Sequence, residues 1–304
     1  MNSISRRHVF GLAAGAAGAA AGVSTLGSAR AATVTLARPR TSIRAVVPNG
    51  NTLIGMSSPA RLWNQREREV GGGLRARRIF ADLKDGPTSQ LKRVQEAHAA
   101  NMLPVISYKV GRDVNGAVRG NYNKVAAEAA KRLADFDKPT AVTFWHEPHS
   151  DMTPYQYVVA SEQILPQFQL PRLKVGPILN GWLLERRADD LRDYAPDRLF
   201  RLWDWFGIDT YEAGTRSNPG VGKPAGRIPK MRQFVREAGF DHPIAVGEYN
   251  GYSAKSIADA GEALLSTSNV WFGCVWNATG ERAYPLSGDR LRAFRQTLAD
   301  PRAG

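Results

Sequence analysis

A single alternation runs through most of this chain, in which short β-rich apolar segments alternate with longer segments of helical periodicity. There are eight apolar segments, at residues 51–56, 78–83, 104–109, 140–147, 173–179, 206–211, 243–248 and 270–277. The helical segments between and after them lie at residues 61–70, 89–101, 122–136, 154–168, 184–194, 229–238, 256–265 and 289–298. Eight such units in about 250 residues match the size and order of a closed (β/α)8 TIM barrel, an α/β fold.

A doubly wound open sheet would give the same alternation of strands and helices. However, no G-x-G-x-x-G motif follows the first apolar segment, and no Walker loop occurs. The triplet Gly71-Gly72-Gly73 follows a helical segment, which indicates a helix end rather than a phosphate-binding loop. The apolar segments are nearly continuous, as is typical of parallel strands covered on both faces. We therefore predict a single barrel domain over residues 51–304.

The N-terminus carries the pattern of an export signal. Residues 5–10 read Ser-Arg-Arg-His-Val-Phe, a twin-arginine motif, and an Ala/Gly-rich stretch follows at residues 11–27. That stretch is too short and too rich in small residues to span a membrane permanently. Ala-Arg-Ala at residues 29–31 fits a processing site. We expect a twin-arginine (Tat) signal peptide at residues 1–31, a linker at 32–50, and a mature protein that the Tat machinery secretes, either free or associated with the cell wall.

Charge and cysteine content narrow the classes of partner. Lys and Arg number 41 against 28 Asp and Glu, so the formal net charge is +13, which favours anionic polymers. The basic residues are dispersed and no zinc-finger or helix-turn-helix motif occurs, so nucleic acid is not an expected partner. The single cysteine, Cys274, excludes an intrachain disulfide and a cysteine-based zinc finger.

Two glutamates stand at predicted strand ends, where a barrel of this kind carries its chemistry. Glu147 ends the fourth apolar segment and Glu248 ends the seventh. A facing pair of carboxyl groups suits glycosidic cleavage, because one must be protonated to assist the leaving oxygen while the other must be ionised to attack the sugar or activate water. Mutual repulsion and unequal burial would separate their pKa values. The alternative is that each glutamate pairs with an arginine at the barrel rim.

The strand ends also carry short motifs of a known family. Residues 143–148, Thr-Phe-Trp-His-Glu-Pro, resemble the fourth strand of the retaining barrel glycosidases of clan A, and the histidine before the glutamate resembles glycoside hydrolase family 26, the β-mannanase-like family. Residues 208–211, 244–249 and 271–277 resemble the sixth, seventh and eighth strands of that family. The resemblance implies an endo-β-mannanase-like hydrolase that cleaves β-mannan or a related β-glycan with retention and needs no metal or other cofactor.

The resemblance also implies roles for individual residues. Glu147 would be the acid/base and Glu248 the nucleophile. His146 would hydrogen-bond the sugar or hold the nucleophile side of the site, Tyr211 would donate a hydrogen bond to Glu248, and Trp276 would present a flat apolar face to a sugar ring. Further candidates for substrate binding are Trp145, Trp182 and Asp209. Trp182, Trp203 and Trp205 could line an extended groove, although at least one of the three is expected to pack in the core.

Two other functions fit parts of the sequence. His146, Glu147, His149 and Asp151 are close enough along the chain to suggest a zinc site. Pro148, however, interrupts the helix that an H-E-x-x-H site needs to place two histidines on one face. A barrel could also bind a polysaccharide at an aromatic cleft without cutting it, and this alternative stays open on the sequence alone.

Overall fold

The computed structural model describes residues 50–279 and 285–304, so the predicted signal peptide and nearly all of the predicted linker lie outside the described residues. Nine parallel strands form one sheet in the order β5-β4-β3-β2-β1-β9-β8-β7-β6. The strands are β1 Leu53–Ser57, β2 Ala76–Asp82, β3 Leu103–Lys109, β4 Thr140–Phe144, β5 Leu173–Val175, β6 Ile178–Asn180, β7 Phe206–Tyr211, β8 Ile244–Asn250 and β9 Val270–Trp276.

Helices alternate with these strands along the described chain. The α-helices are α1 Trp63–Val70, α2 Leu91–Ala99, α3 Val114–Val118, α4 Asn123–Ala134, α5 Pro154–Ile164, α6 Leu183–Arg186, α7 Ala188–Tyr194, α8 Asp197–Leu202, α9 Pro224–Glu237, α10 Ala254–Ser266 and α11 Gly288–Leu298. Each predicted helical segment overlaps at least one of them, while α3 and α8 lie where none was predicted. Among the described residues, no helix is both long enough and apolar enough to cross a membrane.

The fifth predicted strand is where the sheet becomes a ring. Residues 173–179 were expected to form one strand, but the structure divides it into β5 and β6 at Gly176-Pro177. β5 pairs with β4, while β6 pairs with β7. The two halves therefore occupy one strand position and join the two ends of the sheet. Counted this way, the strands number eight and the predicted (β/α)8 barrel is confirmed.

A close contact explains the division. A Cβ atom on Gly176 would lie 2.4 Å from both the backbone oxygen and the indole ring of Trp205, which is fully buried. The backbone of residue 176 must therefore pass directly over Trp205. Pro177 has no N–H to give to a neighbouring strand, which also weakens pairing at this point.

Aromatic side chains fill the floor of the barrel. The Trp205 ring makes edge contacts with Trp271 at 6.1 Å and with Phe272 at 5.2 Å. Trp203 packs outside the sheet, 5.3 Å from the Phe200 ring and 5.9 Å from the Phe206 ring. Both Trp203 and Trp205 are 0% exposed, so the idea that they line a substrate groove is wrong. The packed floor leaves the carboxyl ends of the strands as the end that is open to polar groups.

Replacing Gly176 with alanine tests this closure. The added methyl group would overlap Trp205, so we expect the free energy of unfolding to fall by about 1–3 kcal/mol. Gly226 in α9 is a matched control, since nothing lies within 4 Å of its Cβ position, and Gly226→Ala should gain about 0.5–1 kcal/mol. Denaturant unfolding of both variants measures this. Equal stabilities for the two variants would contradict the proposed closure.

Candidate active site

Glu248 lies near the carboxyl end of β8 and is 7% exposed. Three donors from three different strands hold its carboxylate. Ser57 donates from Oγ to Oε1 at 2.9 Å, and the Arg78 Nη1 atom lies 3.3 Å from the same oxygen. Tyr211 donates its hydroxyl proton to Oε2. Together these three donors fix the orientation of the Glu248 carboxyl group.

A bulge in β8 aims Glu248 at these donors. In the pairing of β7 with β8, Ile208 is opposite Val246 while Asp209 is opposite Glu248, so Gly247 has no partner. A bulge re-aims the side chains that follow it. Position 247 must be glycine, because a Cβ atom there would lie 2.6 Å from Asp209 Oδ1 and 2.8 Å from Arg78 Nη1. The Gly-Glu motif at 247–248 thus has a steric cause.

Arg78 is the buried cation of this group. It projects from β2 and is 1% exposed, and its Nη1 donates to Asp209 Oδ1 at 2.6 Å. The Nε and Nη2 atoms both donate to Ser107 Oγ, at 3.2 and 3.1 Å. Burial opposes the charge on Arg78, but the carboxylates of Asp209 and Glu248 hold its pKa above the ordinary value. Arg78 is therefore a permanent cation beside Glu248.

Glu147 occupies a different environment at the end of β4. The strand ends at Phe144, three residues before the predicted end, because Trp145 and Glu147 have left-handed backbone with φ of 54° and 51°. The Glu147 amide donates to the Ile178 carbonyl at 2.9 Å, which fixes this turn. The only side chain that donates to its carboxyl group in the described structure is Asn180, whose Nδ2 lies 3.4 Å from Oε1.

Electrostatics favour a neutral Glu147. Burial raises its pKa, the negative charge of Glu248 raises it further, and the cations Arg78 and Lys109 offset only part of this, so the pKa is about 7. The influence of Glu248 also means that the two glutamates share one electrostatic environment. Glu147 is thus positioned to hold a proton near neutral pH, while three donors surround the carboxyl group of Glu248.

His146 and Tyr211 flank the two glutamates. Burial lowers the pKa of His146 well below its ordinary value, with Arg78 and Lys109 adding to the effect, so the imidazole is neutral. Its ring packs edge-on against Phe80 at 5.3 Å. Burial and the charge of Glu248 raise the pKa of Tyr211 well above its ordinary value, so the phenol keeps its proton. The hydrogen bond from Tyr211 to Glu248, expected from the sequence, is present.

The predicted aromatic contacts lie in two groups. Trp276 is half-buried at the end of β9, with its ring 6.2 Å from that of Phe80 and nearly perpendicular to it. Trp182 is also half-buried, on the other side of Glu147, with its ring 5.0 Å from that of His149. Both rings keep an accessible part at the open end of the barrel, and their contact with a substrate stays a prediction.

Two residues expected to touch substrate are instead buried. Trp145 is 1% exposed, and its indole N–H donates to Asp151 at 2.8 Å. Asp209 is 2% exposed and forms the ion pair with Arg78. Each acts on another protein group, because the left-handed turn rotates Trp145 away from the cleft and Asp209 compensates the buried guanidinium. The expectation that either side chain contacts the substrate directly is therefore corrected.

Sequence reasoning missed Arg78, Ser57 and Ser107. Arg78 belongs to the basic run Arg75-Ala76-Arg77-Arg78, which resembles an exposed surface segment. The period of two in a strand places Arg78 on the same face as Phe80, and that was an available signal that it points inward. Ser57 and Ser107 are single small polar residues inside apolar strands, and residue type alone does not distinguish a hydroxyl at a site from one that only packs.

The side chains suggested as zinc ligands do not converge. The His149 ring packs against Trp182 and Tyr194 rather than towards Glu147. Asp151 accepts hydrogen bonds from Lys109 and Trp145, both at 2.8 Å. Within residues 50–279 and 285–304, no three His, Cys, Asp or Glu side chains form a group that could hold a metal ion.

Comparison with solved structures identifies proteins of the same architecture. An endo-β-1,4-mannanase double mutant from Cellulomonas fimi has a TM-score of 0.60 at 15% identity, over 83% of this chain and 71% of that one. A GH5-4 broad-specificity endoglucanase from Clostridum cellulovorans has a TM-score of 0.60 at 12% identity, over 85% and 97%. GH26C from Muricauda sp. has a TM-score of 0.57 at 10% identity, over 84% and 87%.

In sequence, no family model matches the chain, and neither does any curated protein. The structural neighbours include clan A glycoside hydrolases of families 5, 26 and 30, as the resemblance predicted, and also a GH18 chitinase. At these identities, the likeness shows a common fold. The chain therefore has the barrel fold that these glycoside hydrolases share.

The raised pKa of Glu147 predicts that the free energy of unfolding depends on pH. A carboxyl group with a pKa of about 7 when folded and 4.5 when unfolded stabilises the fold fully below about pH 4.5, and this contribution is lost as the pH rises through about 7. Glu147→Gln has no carboxyl group to ionise, so it does not lose this contribution. The difference in free energy of unfolding, variant minus wild type, should therefore be about 3 kcal/mol larger at pH 8 than at pH 4. Denaturant unfolding at both pH values measures this.

The control is Glu128→Gln, which removes an exposed carboxyl group on α4. Its free energy of unfolding should change between the two pH values by the same amount as that of the wild type. A pH dependence of Glu147→Gln that runs parallel to that of the wild type would show that Glu147 titrates normally.

Proposed function

We propose that this chain is an exported glycoside hydrolase that cleaves a β-linked polysaccharide, β-mannan or a related β-glycan, by a two-glutamate retaining mechanism. Glu147 is the acid/base and Glu248 the nucleophile. One observation carries the proposal: the two carboxyl groups interact electrostatically but have different sets of hydrogen-bond donors. Glu147 has a single side-chain donor and a pKa of about 7, whereas three donors surround Glu248.

In the first step, a carboxylate oxygen of Glu248 attacks the anomeric carbon of the sugar. The glycosidic C–O bond breaks as Glu147 gives its proton to the departing oxygen, so the leaving group departs as a neutral alcohol. Glu248 and the sugar are then joined by an ester bond, and Glu147 is ionised. Because Ser57, Arg78 and Tyr211 hold the carboxylate in place, little reorganisation is needed before attack.

In the second step, water replaces the alcohol. Glu147, now an anion, removes a proton from the water as its oxygen attacks the anomeric carbon, and Glu248 leaves as a carboxylate. Two displacements at the same carbon give net retention of configuration. Loss of the ester also restores the charge of Glu248, so that its repulsion again favours a protonated Glu147.

Other groups at the open end of the barrel suit sugar recognition. A neutral His146 can donate one hydrogen bond and accept another, which matches a sugar hydroxyl. Trp276 and Phe80 supply apolar faces beside it. The likeness to a mannanase and a broad-specificity endoglucanase supports a β-glycan as the substrate class, with mannan as our first choice. Export rests on the twin-arginine motif at residues 5–10.

Glutamine substitutions test the two roles. Glu147→Gln cannot supply or take the proton, and Glu248→Gln cannot form the ester, so each should lower turnover by several orders of magnitude on a β-glycan that the wild type cleaves. Reducing-sugar release from a panel of mannan, glucomannan, cellulosic and xylan substrates measures this. Glu128→Gln is the control and should keep full activity.

Several results would contradict the proposal. Near-normal release by either variant would remove that residue from the mechanism. Binding of a polysaccharide without release by the wild type, unchanged in Glu248→Gln, would favour the non-catalytic barrel. Activity that a chelator abolishes would favour a metal-dependent hydrolase.

The pH profile tests the acid. Glu147 must be protonated to act first, and its pKa is about 7, so kcat/KM should fall as the pH rises above about 7. An initial product with the β configuration, seen by proton NMR of a β-linked substrate before mutarotation, should accompany this. A first product with the α configuration would show inversion and remove Glu248 as a nucleophile.

A further inference from the structure

A pocket of about 290 Å³ opens at the rim of the barrel, between the loop after β1 and the strands β2 and β9. It shares Arg78, Phe80 and Trp276 with the site described above, and Arg78 lies 3.3 Å from Glu248, so the pocket adjoins that site. Its volume is at the lower end of the range for small-molecule sites, which suits one sugar ring. A chain bound at the two glutamates can thus extend into it.

Its walls combine aromatic rings with guanidinium groups. The Arg77 guanidinium lies over the Trp63 ring, 4.3 Å from the centroid, and that of Arg78 lies 4.9 Å from the centroid of Phe80. Aromatic faces provide contact area for the apolar face of a sugar. The wall has no acidic side chain among the described residues, but it has a third arginine, Arg93.

Arg93 differs from the other two arginines in what compensates its charge. Arg77 pairs with Glu96 at 3.0 Å, and Arg78 pairs with Asp209. Arg93 donates only to backbone carbonyls, those of Phe80 at 2.9 Å and Ser89 at 3.3 Å, and no carboxylate of the described residues forms an ion pair with it. The side chain is half-buried, and burial lowers its pKa. The charges of Glu96 and Asp85 raise this pKa, but neither carboxylate pairs directly with Arg93, which leaves the guanidinium able to bind a ligand that carries an anion.

A second polar group in the same wall lacks a partner. Ser58 is 3% exposed and follows β1 directly. Its Oγ is buried without a hydrogen-bond partner among the described residues. Leaving such a hydroxyl unpaired is unfavourable, and a ligand oxygen that reaches it from the pocket would remove that cost.

We infer that this pocket binds a sugar residue carrying an anionic group, a carboxylate or a sulfate ester, beside the bond that is cleaved. The substrate of the proposed glycosidase is then an acidic β-glycan, and the inference rests on that proposed function. The planar guanidinium of Arg93 suits an anion with two equivalent oxygens, and Ser58 supplies a further donor. A lysine would match this geometry less well, so Arg93 acts as a specificity-determining residue.

Chemically matched glycans test the inference. The substrates are a soluble β-1,4-mannan, the same mannan partly oxidised at C6 to carboxylates, and the same mannan partly sulfated at C6. The wild type, Arg93→Gln and Arg93→Lys are compared by kcat/KM and, independently of turnover, by calorimetric binding. Lys92→Gln is the control, since it removes an exposed positive charge one residue away on α2 and outside the pocket.

We expect kcat/KM and binding affinity of the wild type to be about tenfold higher for at least one charged mannan than for the neutral one. A tenfold difference is typical of one charge-assisted hydrogen bond. Whichever charged mannan is preferred identifies the anionic group. Arg93→Gln should abolish the preference, Arg93→Lys should keep part of it, and Lys92→Gln all of it. High salt should reduce the preference.

The outcomes separate this inference from the proposed function. Equal cleavage of all three mannans, unchanged in Arg93→Gln, would overturn the inference while the glycosidase stands. Preferred binding of a charged mannan without cleavage, lost in Arg93→Gln, would support the pocket and contradict the glycosidase. An absence of both binding and cleavage would overturn both.

Discussion

The compensation of one buried charge organises the open end of this barrel. Arg78 projects into the barrel from β2, almost without exposure, and a guanidinium in that position requires anions and acceptors around it. Asp209, Glu248 and Ser107 provide them from three other strands. The same contacts fix the position of Glu248, so the group that keeps a buried cation stable also aligns the carboxylate. Removing Arg78 would leave the carboxyl group of Asp209 buried without its cation.

The rest of the fold maintains the environment that this group needs. The aromatic floor around Trp205 closes the other end of the barrel, and the divided fifth strand completes the ring without opening a gap. A closed, packed barrel limits water around Glu147, which raises its pKa, while Glu248 keeps three donors of its own. The barrel thus holds a carboxyl group of raised pKa beside a carboxylate that three donors fix in place.

Much of the architecture could be predicted from the sequence. Apolar runs of strand length and helical periodicity are local signals, and they gave the number and order of the units. The ends of elements depend on contacts that are distant in sequence, such as that between Gly176 and Trp205. For this reason the fifth strand was predicted as one piece and observed as two.

The site likewise combines features that local sequence signals predict with features that depend on distant contacts. The positions of Glu147 and Glu248 followed from the strand ends, and the motif resemblance led to the hydrogen bond from Tyr211. Arg78 did not emerge, because its basic run resembles a surface segment, and the strand period that puts it on the face of Phe80 does not identify its partner, an aspartate 131 residues away. Trp145 was assigned to the substrate because the left-handed backbone on either side of His146 is invisible in the residue types.

The most direct measurement is the titration of the Glu147 carboxyl group itself, followed by NMR with carbon-labelled glutamate in the wild type and in Glu248→Gln. Our account predicts a pKa of about 7 in the wild type. It predicts a lower value in the variant, since a neighbouring negative charge is removed while burial remains. A pKa near 4.5 in the wild type, or one that does not change in Glu248→Gln, would contradict the claim that the two carboxyl groups act as an unequal, interacting pair.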